Sequence, residues 1–296
     1  MTHPIIACVA CLDPTRSIHT PTFIRAVELC RKHLSQDVEL RYFDDKADAT
    51  HACSVAKEIV SANAQTVVGH FASAAAAAAA PIYAQQNLPL FLPAATAAQL
   101  TLHRSTYRVC DSDEDYAEHA WRYCITQGLW PTSIEHDGST HGISVTTALE
   151  RLRKERPIDG RASWLFCGSY SNSVAFAAQL PASDKRPLIF TDDAHVPTLA
   201  DEPALAGREV HVLGLSPQAA GPLADRLRYD YQVFSGTPGI YFWETVTALQ
   251  VAIASLGMDP GAKRWTTVLG ELRFGSDREA RPNSFVGTRI TQATSP

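Results

Sequence analysis

Two short segments have residue types suited to holding a small charged molecule. In Val68-Gly-His-Phe-Ala-Ser-Ala74, Ser73 stands at the head of an alanine run, where a helix is expected to begin. A helix start offers unpaired N–H groups and the positive end of the helix dipole, so a serine there can join them in binding a carboxylate. The plainer alternative is that Ser73 only caps the helix, a position serine favours strongly. In Leu92-Pro-Ala-Ala-Thr-Ala97, small residues let a ligand approach the backbone: Thr96 can offer its hydroxyl and N–H to a carboxylate, and the Ala94 carbonyl can accept from an ammonium. Taken alone, this second segment is a turn.

Titratable groups elsewhere invite an enzymatic reading. His136, Asp137, His141, Asp192 and Asp193 have the acid–base chemistry, provided they stand within hydrogen-bond reach of a substrate. Ser73 is not in a Gly-x-Ser-x-Gly elbow, and no cysteine has an evident histidine partner, so no nucleophile is assigned and no catalytic residue is named. Cys8-Val-Ala-Cys11 has CxxC spacing, but residues three apart on a strand face opposite ways and no second ligand pair follows. It is read as core, and no metal or cofactor is expected. His136 and His141 straddle an expected turn, where exposure is the default.

The elements that must carry these residues alternate. Ile5–Ala10, Glu39–Phe43, Thr66–Gly69, Leu90–Pro93, Thr106–Val109, Thr132–His136, Ser163–Cys167, Leu188–Thr191 and Glu209–Leu213 read as strands. Pro21–Leu34 and His51–Ser61 read as helices, alanines 74 to 80 as a helix stopped by Pro81, and Tyr241–Leu256 as a late helix. The alternation argues for an α/β fold with parallel sheets and crossover helices, where ligands bind beyond the carboxyl ends of strands. No Gly- or Pro-rich linker separates domains. A chain crossing is expected at Cys110-Asp-Ser-Asp-Glu-Asp115, with a return near Phe234–Gly239.

The 296 residues, 45% hydrophobic, suffice for two lobes with real cores. The net charge of −5 comes without a basic block, since Arg151-Leu-Arg-Lys-Glu-Arg156 is interrupted by a glutamate, so nucleic acid is not an expected partner. No apolar run is long enough to span a bilayer, and no secretory signal is visible. Seven cysteines without framework spacing suit a reducing compartment. A cytoplasmic location is expected, or a periplasmic one if Met1 replaces a processed N-terminus.

The motifs Val67-Val-Gly-His-Phe-Ala-Ser73, Pro81-Ile-Tyr83 and Leu92-Pro-Ala-Ala-Thr-Ala-Ala-Gln-Leu-Thr101 resemble the signature of the leucine/isoleucine/valine-binding protein family. Weaker support comes from Tyr42-Phe-Asp-Asp45, Tyr107-Arg108, Ile134-Glu-His-Asp-Gly-Ser-Thr-His-Gly142 and Tyr241-Phe-Trp-Glu-Thr-Val-Thr-Ala-Leu-Gln250, so that the likeness extends over nearly the whole chain. It implies the type I periplasmic-binding-protein architecture: two Rossmann-like lobes, residues 1–112 with 238–296 and residues 113–237, and an amino acid held in the cleft between them. By the same resemblance Ser73 and Thr96 hold the ligand carboxylate, while the Ala94 carbonyl and Asp193 hold its ammonium. Asp193 stands where the family has glutamate. Tyr170, Tyr241 and His141 wall in the side chain, His141 replacing a tyrosine, and an aromatic of the first loop is replaced by Ile18 or His19.

These changes lean the ligand away from leucine toward a smaller or polar side chain. Against the family pattern the stretch 145–161 omits a strand–helix unit of the second lobe, and the C-terminus after Ile290 is short. The implied function is binding of a free α-amino acid or close derivative for transport or sensing, with a transporter or regulatory protein as partner and no insertion in a membrane. The alternatives are a cytoplasmic sensor acting on a partner protein, and an enzyme using His141 and Asp193 as acid and base.

Overall fold

The first buried strand decides the layering of everything around it. The structure, a computed structural model, describes residues 3–34, 37–157, 159–194, 197–214, 219–235, 238–280 and 286–290. The first elements are β1 (Ile5–Ala10), α1 (Thr20–His33), β2 (Glu39–Asp44), α2 (Ala49–Ser61), β3 (Thr66–Gly69), α3 (Ser73–Gln85), β4 (Leu90–Leu92) and β5 (Thr106–Arg108). After α4 (Asp113–Gln127) come β6 (Leu129–His136), α5 (Thr140–Glu155), β7 (Arg161–Cys167), α6 (Tyr170–Gln179), β8 (Leu188–Phe190) and β9 (Val210–Gly214). The chain continues through α7 (Pro222–Ser235), α8 (Ile240–Ala254), β10 (Trp265–Thr267), β11 (Gly270–Leu272) and β12 (Val286–Ile290).

Two compact units result, residues 1–112 with 217–283 and residues 113–216 with 284–296. The return thus precedes the expected residue 238, because α7 buries Ala224, Leu227 and Tyr231 in the first unit's core. Residues 286–290 are also reassigned, since β12 pairs antiparallel with β9. The residues at which the return was expected include 236 and 237, and the expected short C-terminus follows 290; both lie outside the described residues.

In the first unit the five strands of the main sheet are parallel, in the order β2-β1-β3-β4-β5, while β10 and β11 form a separate antiparallel pair. Side chains on a strand alternate between faces. Ile6, Cys8 and Ala10 accordingly enter the core shared with α1 and α8, while Ala7 and Val9 enter the one shared with α2 and α3. Cys8 and Cys11 are both buried and free, consistent with a core role. Burial on both faces is why β1 is a continuous apolar run. In α3, Ala75, Ala76, Ala79 and Ala80 are fully buried, and their small side chains let the helix lie close on α2.

Pro81 does not stop α3 as the propensity argument expects. The helix runs through it to Gln85, and Tyr83 beyond it is fully buried with its hydroxyl 3.2 Å from the His70 imidazole. Tertiary packing of that last turn outweighs the one backbone hydrogen bond a proline removes.

The second unit has the sheet order β12-β9-β8-β7-β6, with β6 to β9 parallel. Leu165, Cys167 and Ile189 pack toward α4 and α5, and Phe166, Leu188 and Phe190 toward α6. The stretch 145–161 holds the rest of α5 and leads straight into β7.

Gly69 ends β3 at φ 132°, and a Cβ there would lie 1.9 Å from the Val9 carbonyl oxygen on the neighbouring strand. Both the conformation and the close approach demand glycine. Gly69→Ala is expected to destabilise the protein by about 3 kcal/mol or more, read as a loss of chemical-denaturation midpoint; a midpoint equal to the parent's would show that β1 and β3 are not in this contact.

Candidate functional site

The strand order 2-1-3-4-5 reverses direction at β1, so the loops leaving β1 and β3 open at a topological switch point, the usual ligand position in such sheets. Ser73 enters this edge on the first turn of α3. The helix N-cap is Ala72, with no side-chain cap bond, so the plain capping reading of Ser73 is set aside. Its Oγ instead accepts from the Ala97 N–H at 3.4 Å, which ties the loop after β3 to the loop after β4. Along the second loop, Ala94 and Thr96 are partly accessible while Ala95 and Ala97 are buried, so the two expected ligand-holding residues share one face.

The backbone of that loop is held from below by Arg108 at the end of β5. Its side chain is fully buried, and its guanidinium donates to the carbonyls of Thr96, Ala97 (2.7 Å) and Ala98 (3.5 Å). Its Nε lies 3.1 Å from the Glu279 carboxylate, which also accepts from the Thr101 hydroxyl at 2.8 Å. Before α3, His70 is buried with Nδ1 2.7 Å from Asp45, fixing the turn that leads to Ser73.

Tyr241, in the first turn of α8, lies with its ring centroid 4.5 Å from His19 and 6.3 Å from Phe71. Phe71 packs edge-on against Phe23 behind it. In the first loop His19 packs on the Tyr241 and Phe71 rings, while Ile18 is exposed. Phe71 was not singled out by sequence; its place two residues before Ser73 was the available signal. Ser73, Ala94, Thr96 and Tyr241 therefore belong to the first unit, and His141, Tyr170 and Asp193 to the second.

In the second unit His141 is not on an exposed turn, contrary to expectation. It lies in the first turn of α5, mostly buried, with Nδ1 2.8 Å from Asp113 and Nε2 3.5 Å from Asp192. Burial alone would lower the imidazole pKa, but the bonds to Asp113 and Asp192 and the charges of Asp192 and Asp193 outweigh it and raise the pKa well above the usual value. Tyr116 stands edge-on to His141 and accepts the Asp192 N–H at 2.9 Å while donating to the Leu213 carbonyl at 2.9 Å.

Asp193 follows Asp192 in a short 3-10 turn, and the Tyr170 hydroxyl donates to Glu202. Asp137 joins the loops before α5 and α6: it accepts the N–H groups of Ser139 and Ser169, each at 3.0 Å, and the Asn172 amide at 3.1 Å. Burial would raise its pKa, but these bonds lower it to about 2. Asp113 escaped sequence reasoning because its pairing with His141 spans 28 residues with no local pattern.

Chemically, the first unit offers a hydroxyl, a helix start and a threonine loop around one edge. The second offers an imidazole held between the carboxylates of Asp113 and Asp192. Among the described residues no group of His, Cys, Asp and Glu is arranged to hold a metal ion.

The units together define an α/β protein of the type I periplasmic-binding-protein fold. The chain superposes on the leucine-binding protein of Thermotoga maritima with a TM-score of 0.80 at 16% identity, covering 97% of this chain and 95% of that one. A solute-binding protein of an ABC transporter from Rhodopseudomonas palustris, solved with 3,4-dihydroxybenzoic acid, gives 0.79 at 13% identity, covering 98% and 94%. In sequence the chain resembles the leucine/isoleucine/valine-binding protein family: it is 27% identical to the Leu/Ile/Val-binding protein of Escherichia coli over 184 residues, 61% of this chain and 48% of that one. It is 30% identical over 112 residues to the Leu/Ile/Val/Thr-binding protein of Salmonella typhimurium, covering 36% and 30%. The chain thus spans less than half the length of these curated relatives. No family model matches it.

A histidine whose pKa is raised on folding contributes stability that is fully present below its ordinary value of about 6.5 and is lost as pH rises through the folded value. His141→Gln is therefore expected to lower the thermal midpoint most below about pH 6.5, with the deficit shrinking as pH rises through the raised folded value. A deficit independent of pH would contradict a charged His141.

Proposed function

We propose that this chain binds a free α-amino acid or a close derivative, as a receptor in transport or sensing. The observation that carries this reading is the Ser73–Ala97 junction: the serine hydroxyl oxygen is occupied as acceptor by an N–H, which leaves its own proton to donate, at a helix start, to an anion. Thr96 supplies the second donor to the carboxylate, and the Ala94 carbonyl and Asp193 are assigned to the ammonium. His19, Phe71 and Tyr241 form an aromatic surface for the ligand's side chain. The sequence resemblance to amino-acid-binding proteins supports the same ligand class.

The aromatic trio favours one second reading, an aromatic carboxylic acid bound through the same carboxylate donors; a solute-binding protein of the same fold was solved with 3,4-dihydroxybenzoic acid. An enzymatic role has less support. Ser73 bonds a backbone amide rather than a base, and His141 is engaged by carboxylates within the second unit.

A thermal-shift screen with proteinogenic amino acids, their amides and simple aromatic acids separates these readings. A ligand at a hundred times its Kd adds about 2.7 kcal/mol. A shift with an α-amino acid is expected, much smaller with its amide and lost in Thr96→Ala and Asp193→Asn. Shifts that survive Asp193→Asn and follow aromatic acids favour the second reading, and no shift with any of these ligands contradicts both.

A further inference from the structure

We propose that Arg108 is the positioning residue of the carboxylate site, acting on the ligand through the backbone of residues 96–98; this rests on the functional reading above. In a trans peptide the carbonyl and the following N–H point to opposite sides. By drawing the Thr96 carbonyl toward itself, the Arg108 guanidinium turns the Ala97 N–H the other way, where it meets Ser73 Oγ. By holding the Ala97 carbonyl at 2.7 Å, it sets the Ala98 N–H on that same outward side. One planar cation thus sets the direction of successive peptide dipoles in the loop that contains Thr96.

The cation is itself delivered by the fold. Segment 278–280 runs beside β5, with the Arg108 N–H donating to the Arg278 carbonyl at 3.0 Å and the Ala280 N–H donating to the Arg108 carbonyl at 2.8 Å. This places Glu279 against the guanidinium Nε. A buried charge held this way is costly unless its partners are in place, so the loop, the strand and the acidic residue form one unit. Lysine would keep the charge but not the fork that reaches several carbonyls at once.

The test uses the full chain with Arg108→Lys, and with the charge-free pair Arg108→Met/Glu279→Gln should the single variant fail to fold. Without ligand, amide hydrogen exchange at Ala97 is expected to speed up at least about tenfold while β4 and β5 stay protected. With ligand, the Kd ratio between a binding amino acid's amide and the amino acid itself is expected to fall about tenfold. Unchanged exchange at Ala97 overturns the proposal, as does a variant that weakens acid and amide alike, the mark of a merely structural role. A parent protein that does not distinguish amino acid from amide overturns the functional reading itself, whatever the exchange data show about Arg108 and the loop.

Discussion

A guanidinium with no exposed surface lies under the carboxyl edge of the first sheet, and the geometry of that edge follows from its burial. Moving a full charge out of water costs several kcal/mol unless hydrogen bonds and a counter-ion replace the solvent. Arg108 meets this demand with three consecutive carbonyls and with Glu279. Those carbonyls belong to the turn that follows β4, so the demand of the buried cation becomes a constraint on where Thr96 and the N–H groups after it point. The turn in front of α3 is held by a similar device, the buried His70–Asp45 pair, and the two turns meet at Ser73 Oγ and the Ala97 N–H.

The second unit solves a different electrostatic problem. His141, Asp113 and Asp192 come from α5, α4 and the turn after β8, so one imidazolium ties three elements together. Asp137 does the same for the starts of α5 and α6, accepting N–H groups that those helix ends would otherwise leave unpaired. Gly142 and Gly168 leave the space this requires, since a Cβ at Gly168 would come within 2.8 Å of the Asp137 carboxylate. His141, bonded to Asp113 and lying 3.5 Å from Asp192, is therefore part of the unit's internal scaffold.

The strands were legible because burial on both faces makes them short apolar runs with clear ends; Ile5–Ala10 and Thr66–Gly69 have the bounds expected of them. The motif around Ser73 and Thr96 was legible through its resemblance to a family signature, and the α/β architecture through the alternation of elements. What escaped the sequence is what depends on distant pairing. Pro81 reads as a stop, yet the buried Tyr83 and His70 carry the helix past it. The placement of α7 and β12 depends on packing with α1 and β9, for which no local pattern exists. His141 reads as an exposed turn residue because its carboxylate partners lie 28 and 51 positions away.

The claim on which the functional reading turns is that Ser73 and Thr96 receive a carboxylate. The most direct measurement is a crystal structure of the chain with the amino acid that stabilises it most. The carboxylate is expected within hydrogen-bond distance of Ser73 Oγ and of the Thr96 hydroxyl, with the ammonium directed to the Ala94 carbonyl. A ligand seated with its ammonium at Ser73, or bound away from the carboxyl edge of β3 and β4, would contradict it.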